Sequence, residues 1–358
     1  MQTVRVDLGE RSYPIHIGRG LLGEVGSRLQ ELRCARRTAV ITNAVVAPLY
    51  LGRVESCLRD AGFAPTAIEL PDGEEHKNFA WLTFIYDRLI DAGLERQSAV
   101  IALGGGVVGD MAGFAAATYL RGVPYVQLPT TLLAQVDSSI GGKTGVNHAA
   151  GKNLIGTFYQ PRFVLVDIDT LKTLPRREFL AGIAEVIKYG VILDPDLFAL
   201  LEKELKAILA LDESVLTELV RVCCTLKAMV VGEDERETEY RAILNYGHTV
   251  GHAIEALTEY KGFLHGEAIS IGMAFAARLS HARGYCSAET VERIIQLLRR
   301  AQLPVEIPKD ISARPLALAI KADKKAAGGK IRFVCIDEIG QTRFDWLTAE
   351  EIAAFAGR

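Results

Sequence analysis

The segment Ser98–Thr118, SAVIALGGGVVGDMAGFAAAT, constrains this chain more than any other. An apolar strand runs straight into Gly104, Gly105, Gly106, Val107, Val108, Gly109 and Asp110. The residues that follow, Met111–Leu120, are small and apolar, as a closely packed helix requires. A strand that turns at once into a helix belongs to a βα unit, and such units build parallel sheets. The turn reads G-x-G-x-x-G, in which glycines let backbone N–H groups approach a pyrophosphate and the helix N-terminus favours its charge. Asp110 sits where it bonds a ribose hydroxyl or simply caps the helix. The acidic residue that usually follows about 20 positions later is absent. A tight packing turn explains the glycines equally well.

The rest of the first half continues the alternation. Val4–Asp7 and Tyr13–Ile17 read as a small antiparallel start. Arg37–Thr42, Thr66–Leu70, Ala99–Leu103, Tyr125–Leu128 and Val164–Asp167 read as buried strands. Helical stretches lie around Val46–Asp60 and Phe79–Ala92. The expected architecture is a mostly parallel, Rossmann-like sheet covered on both faces. From about Glu178 helical spacing dominates: Phe179–Tyr189, Leu197–Leu209, Ser214–Val231, Asn245–Glu259, Glu267–Arg283 and Ala288–Ala301, with a late strand at Ile331–Cys335. We therefore expect an α/β nucleotide-binding domain over 1–177 and an essentially all-α domain over 178–358, with a small-molecule cleft between them.

Composition removes several classes of function. The net charge is −3, with 41 basic against 44 acidic residues, so nothing global favours nucleic acid or an anionic membrane. The longest uncharged stretches, such as the fifteen residues Gly122–Val136, contain prolines and fall short of the roughly 18 apolar residues of a membrane span. The N-terminus alternates polar and apolar residues without a basic segment followed by an apolar one, so no secretory signal is expected. The six cysteines show no CxxC and no regular spacing. The expectation is a reduced, cytoplasmic protein.

Two clusters carry chemistry. The first is PTTLLAQVDSSIGGKTGVNHAAGKN, with Thr130, Thr131, Asp137, Lys143, Lys152 and Asn153 on what reads as a long irregular stretch. Such stretches inside compact domains are usually functional, and its lysines and glycines suit a phosphate or carboxylate. The second is NYGHTVGHAIE, which places His248 and His252 at i, i+4 on one helix face, with His265 following on FLHGE. No Glu follows the first His, so this is not the zinc-protease helix. Glu185 on AEVIKYG adds a carboxylate, and two imidazoles with one carboxylate form a familiar zinc ligand set. Spacing does not say which two histidines bind, and a buried His pair without metal satisfies the same pattern. Lys188, three residues after Glu185, is equally consistent with a plain ion pair.

Taken together, GGGVVGDMAGFAAATYLRG, LPTTLLAQVDSSIGGKTGVN, GKNLIGTFYQP, AGIAEVIKYG, LNYGHTVGHAIE and LHGEAISIGM resemble the 3-dehydroquinate synthase family. These blocks lie between residues 104 and 273, and the resemblance extends from about residue 37 to residue 335, nearly the whole chain. The resemblance implies a metal, Zn²⁺ or Co²⁺, held by Glu185, His248 and His265, with His252 facing the substrate. It implies an NAD site formed by Asn43, Asp72, Gly73, Glu74, Lys77, Gly105, Gly106, Val107, Gly109, Asp110, Thr130, Thr131, Lys143, Lys152, Thr173 and Leu174. Substrate contacts would be Arg121, Asp137, Lys143, Asn153, Lys188, Lys227, Arg241, Asn245 and His252, with a further basic residue near Lys330 or Arg332, in the stretch 324–332. Thr170 departs from the family's usual aromatic or Cys and receives no role.

The family converts 3-deoxy-D-arabino-heptulosonate 7-phosphate to 3-dehydroquinate and phosphate, on the shikimate route to chorismate and the aromatic amino acids. It does so by transient oxidation at C5, phosphate elimination, reduction and intramolecular aldol closure, so NAD is regenerated in each turnover. The resemblance also implies a homodimer. Competing expectations are an NAD- and metal-dependent polyol dehydrogenase, another sugar phosphate cyclase, and a catalytically dead nucleotide-binding regulator. The first needs fewer basic residues than this chain supplies, and the last would not need the full ligand set.

Overall fold

A computed structural model describes residues 1–149, 151–323 and 329–356. The chain forms two compact units, Met1–Leu174 with Leu216–Arg236, and Pro175–Val215 with Glu237–Arg358. The single boundary expected near residue 177 is thus replaced by three crossings, the first between Leu174 and Pro175. The helix Glu213–Glu233 lies mostly in the first unit although it is coded within the second half. Helical periodicity reports that an apolar face exists, not which domain receives it.

The first unit is built on strands β1 (Gln2–Val6), β2 (Tyr13–Gly18), β3 (Arg37–Asn43), β4 (Ala64–Leu70), β5 (Ala99–Gly104), β6 (Tyr125–Pro129), β7 (Lys143–His148), β8 (Gly151–Phe158) and β9 (Val164–Asp167). Seven of them form one sheet in the order β1-β2-β9-β6-β5-β3-β4. Only the β1–β2 pair is antiparallel; the other pairings in the sheet are parallel. Helices α1 (Val25–Glu31), α2 (Gly52–Asp60), α3 (Phe79–Asp91) and α4 (Gly106–Thr118) accompany the sheet.

The pleat sorts alternate side chains onto opposite faces. Ala39, Ile41, Val100 and Ala102 pack with Leu82, Ile85 and Leu89 of α3 and Met111, Ala112 and Ala115 of α4. Val40, Ala99, Ile101 and Leu103 pack with Val25 and Leu29 of α1 and Val54 and Leu58 of α2. Both faces of the sheet are therefore covered, which is why its central strands read as unbroken apolar runs. Each fully buried Ile, Leu or Val contributes about 1.5–3 kcal/mol. The small residues of α4 serve close packing: a Cβ on Gly113 would lie 2.4 Å from Thr144 Cγ2 of β7.

The described residues of the stretch expected to be irregular form regular elements. They include a helical turn at Ala134–Ser138 and an antiparallel hairpin of β7 and β8, with Lys143 opposite Phe158. The strands escape sequence reading because β8 leaves most of its side chains exposed and carries glycines, so no buried alternation marks it.

The second unit contains α5 (Arg176–Ile192), α6 (Pro195–Leu209), the start of α7 (Glu213–Glu233), α8 (His248–Leu257), α9 (His265–Ala282), α10 (Ala288–Arg300), α11 (Ala313–Asp323) and α12 (Ala349–Phe355). Strand β10 (Ile331–Glu338), read from the sequence over most of its length, pairs with β11 (Gln341–Leu347), which was not. Asp194 caps α6 by accepting from the N–H groups of Asp196 and Leu197 at 2.9 and 3.0 Å, with Pro195 in the first turn. The helix expected from Asn245 begins only at His248, because Gly247 takes φ +78° and ends a short 3-10 turn over Tyr240–Asn245.

Helix α9 approaches two neighbours at backbone distance. A Cβ on Gly266 would lie 1.9 Å from Ala181 O of α5, and one on Gly272 would lie 1.9 Å from Gly247 O, just ahead of α8. Only glycine permits those contacts, and they draw the first residues of α8 and α9 toward the buried face of α5.

Candidate active site

Glu185 of α5, His248 and His252 of α8, and His265 of α9 converge within the second unit. Glu185 is fully buried, and its Oε1 accepts no hydrogen bond. That oxygen lies 3.7 Å from His248 Nε2 and 3.7 Å from His265 Nε2. The spacing is too long for hydrogen bonds and close to the roughly 3.4 Å that separates two ligands about 2.1 Å from one tetrahedral ion. A buried carboxylate oxygen without a donor, facing two imidazole nitrogens, fits a divalent cation. The nitrogens of His248, His252 and His265 also lie within 4.8 Å of one another, so His252 belongs to the same cluster.

The outer contacts of the two flanking histidines set their tautomers. His248 Nδ1 lies 3.0 Å from Tyr246 O, and a carbonyl only accepts, so Nδ1 carries the proton. His265 Nδ1 lies 3.1 Å from Glu255 Oε2. In the neutral form of each ring, Nε2 then carries the lone pair on the side of Glu185. Burial, then the charge of Lys188 and the two neighbouring imidazoles, hold His248 well below the ordinary histidine value. Burial also pulls His265 down, but the Glu255 hydrogen bond and the charges of Glu255 and Glu185 outweigh it and raise this ring.

A buried cation adjoins this cluster. Lys188 is 1% exposed and ion-paired with Glu185 Oε2, which realises the i,i+3 pairing visible in the sequence. Arg241 is likewise almost fully buried, on the 3-10 turn ahead of α8. Asn245 closes the same turn and donates to Glu237 Oε1 at 2.8 Å. Residues 324–328, with Lys324 and Lys325, lie outside the described residues. Lys330 is exposed, and the Arg332 guanidinium stacks 4.7 Å over the Phe344 ring.

In the first unit Gly105 precedes α4 as its N-cap residue and Gly106 opens the helix. A Cβ on Gly105 would meet Thr131 Cγ2 at 3.1 Å, and one on Gly106 would meet Ser138 Oγ at 3.0 Å. Ser138 Oγ is buried without a hydrogen-bond partner beside this helix start, which fits an anionic group such as a pyrophosphate. Val107 and Gly109 lie in the first turn; Gly109 O accepts from Tyr125 OH at 2.7 Å. Thr130 N donates to Gly104 O at 3.0 Å, and Thr131 Oγ1 accepts from Ala134 N at 3.1 Å.

Asp110 does not stand alone. Lys77 Nζ lies 2.5 Å from Asp110 Oδ2 and 2.5 Å from Asn153 Oδ1. Burial opposes the charge of Lys77, but Asp110 and Glu74 outweigh it, so its pKa rises above the ordinary lysine value. Asn147 ties the neighbouring groups together. Its Nδ2 donates to Glu74 Oε1 at 2.7 Å, and its Oδ1 accepts from Asn153 N at 2.9 Å. Lys152 Nζ lies 3.9 Å from the same Glu74 oxygen. Asn153 itself takes φ +54°, a left-handed conformation that asparagine tolerates.

The remaining expected residues fall into separate pairs. Asn43, at the end of β3, donates to Asp72 Oδ1 at 2.6 Å, and Gly73 follows at φ +119°. Asp137 is ion-paired with Lys227 of α7, which is 6% exposed. Thr173 hydrogen-bonds Tyr50 OH, and Leu174 N donates to Leu171 O at 3.3 Å. Lys143 and Arg121 are exposed, Arg121 at φ +67°. Thr170 holds the local backbone together. Its hydroxyl accepts from Gln135 Nε2 at 2.9 Å and donates to Asp167 O at 2.8 Å.

Sequence reading missed Glu255, Asn147 and Tyr50. Glu255 carried a signal, since it stands at i+7 from His248 and i+3 from His252 on the same face of α8. Asn147 carried none, because its role depends on the hairpin. Among the described residues no helix is long and apolar enough to cross a membrane.

Residues 67–181 match the family 3-dehydroquinate synthase N-terminal, and residues 182–326 match 3-dehydroquinate synthase C-terminal. The chain is 56% identical over 340 residues to the 3-dehydroquinate synthase of Geobacter metallireducens, covering 95% of this chain and 94% of that protein. Its fold is similar to a crystal structure of 2-deoxy-scyllo-inosose synthase complexed with carbaglucose-6-phosphate, NAD⁺ and Co²⁺, at TM-score 0.90 and 28% identity over 99% of each chain. It is also similar to a 2-epi-5-epi-valiolone synthase from Streptomyces hygroscopicus with NAD⁺ and Zn²⁺ bound, at TM-score 0.89 and 27% identity, covering 98% of this chain and 97% of that one.

Proposed function

The chain belongs to the 3-dehydroquinate synthase family, and from that premise we propose that it converts 3-deoxy-D-arabino-heptulosonate 7-phosphate to 3-dehydroquinate and phosphate, as a lyase using NAD and one divalent ion. The observation that carries the metal assignment is Glu185 Oε1, donor-free and 3.7 Å from two imidazole nitrogens. When bound, NAD⁺ supplies the hydride acceptor and the ion a Lewis acid that acidifies the hydroxyl being oxidised.

The side chains divide the work. Glu185, His248 and His265 hold the ion, which is Zn²⁺ or Co²⁺. His252, in the same cluster, relays the proton of the C5 hydroxyl. Lys143, Lys188, Lys227, Arg241 and Arg121 bind the substrate carboxylate and phosphate, the arginines by their planar fork. Asp137, Asn153 and Asn245 orient the hydroxyl groups, exchanging the partners they now hold. Glycines 105, 106 and 109, with Val107 and the threonines 130 and 131, cradle the pyrophosphate at the start of α4. Asp110, Glu74, Lys77, Lys143 and Lys152 flank it. Asn43, Asp72, Gly73, Thr173 and Leu174 complete the dinucleotide site. The first unit is the NAD-binding one and the second carries the metal.

None of the six cysteines is joined in a disulfide, which supports a reducing, cytoplasmic setting. For assembly we favour a homodimer; exposed Ile90 and Leu120, lining one groove, are apolar surface of the kind an interface covers. Phosphate release from the heptulosonate tests the proposal. Activity should require both NAD⁺ and a divalent ion, with no accumulation of NADH. Steady reduction of added NAD⁺ by a simple polyol would instead establish a dehydrogenase.

A further inference from the structure

The contact between His265 and Glu255 carries the argument one step further. We propose that Glu255 is the positioning residue of the metal site: its carboxylate holds the His265 ring so that Nε2 faces Glu185, and metal affinity depends on it. The inference rests on the reading of Glu185, His248 and His265 as the ligands.

The two flanking histidines are held differently. His248 is 11% exposed at its side chain and hydrogen-bonds the backbone oxygen of Tyr246, two residues back along its own chain. His265 opens α9, and its side chain is 33% exposed. Burial and a bond to its own backbone fix the first ring, while the second, a third exposed, needs a side-chain partner to stop it turning about χ2. Glu255 supplies that partner from the adjacent helix: it is 4% exposed, and its Oε2 lies 3.1 Å from His265 Nδ1. The face of α8 that carries His248 and His252 carries Glu255 at the next turn. One helix thus provides a ligand, the neighbouring imidazole and the brace for the ligand on α9. A carboxylate also makes the ring a stronger donor at Nε2 than a neutral acceptor does, because its charge stabilises the proton on Nδ1.

The test uses the full chain stripped of metal, titrated with Co²⁺ by visible absorption and with Zn²⁺ against a chromophoric chelator. Glu255→Ala should weaken both affinities about 10–100-fold and alter the Co²⁺ spectrum. Glu255→Gln, which keeps an acceptor in place, should recover most of that loss. Wild-type affinity and spectrum in Glu255→Ala would overturn the positioning role. If the alanine variant does not fold, Glu255→Asp decides in its place, since it draws the carboxylate back by one methylene: weakened binding supports the role, and unchanged binding overturns it. A wild-type chain that takes up no stoichiometric ion would overturn the ligand assignment, and the role of Glu255 with it.

Discussion

In the first unit the charged side chains near α4 satisfy one another: Lys77 with Asp110 and Asn153, Asn147 with Glu74 and Asn153, Asp137 with Lys227. In the second unit Glu185 Oε1 has no donor, and two imidazole nitrogens stand off from it at 3.7 Å. On the proposed assignment, the difference follows from the size of what each region would hold. A dinucleotide arrives with many polar atoms and can exchange one set of hydrogen bonds for another, so its residues rest against each other. A single ion meets its ligands at one point, and those ligands must already be aimed there at the cost of burying an unsatisfied oxygen.

The most severe way to break this contrast is His265→Ala. It removes a ligand from the pre-aimed site, so bound metal should fall to near zero and phosphate release should drop about a thousandfold or more. Metal analysis and a phosphate assay read both; full activity with metal retained would take His265 off the ligand set. Next comes Lys77→Met, which should destabilise the fold by about 3–5 kcal/mol, because it removes the buried cation that bonds both Asp110 and Asn153. Denaturant unfolding measures this, and a loss under about 1 kcal/mol would mean the first unit's network is not the self-satisfied one described.

Gly266→Ala sharpens the comparison from the packing side. Its Cβ would press on Ala181 O, so about 1–3 kcal/mol of stability should go, and metal should bind more weakly as α9 moves away from α5. Asp110→Ala should raise the NAD requirement about tenfold while leaving the substrate requirement nearly unchanged. The reverse pattern in steady-state kinetics would relocate the ribose. The smallest effect concerns pH. The raised pKa of Lys77 gives a stabilisation fully present below its unfolded value near 10.5 and lost as pH rises through the higher folded value. Base titration of stability should therefore fall less steeply above that pH in Lys77→Met than in the parent chain.

What could be read from the residues divides along the same line. The parallel sheet was legible because β3, β5 and β6 are buried on both faces and spell continuous apolar runs. The hairpin β7–β8 was not, since most β8 side chains are exposed and glycines interrupt it. The histidine spacing on α8 was legible, but spacing left His248 and His252 equivalent. Only the family resemblance separated them. The geometry adds His265 and Glu185 to the cluster through Gly266 and Gly272, residues whose importance is a matter of backbone proximity and leaves no periodic mark. The pairing of Asp110 with Lys77, 33 positions apart, likewise depends on the sheet order and not on any local pattern.

Helix α7 has a consequence for synthesis. Cys224 and Lys227 on it meet Gln135 and Asp137, so the first unit lacks a wall until Arg236 has left the ribosome. By then Pro175–Val215, which belongs elsewhere, has already emerged. A chain cut after residue 177 would hold every strand of the large sheet and still leave Gln135 and Asp137 without their partners on α7, making it a poor stand-alone fragment.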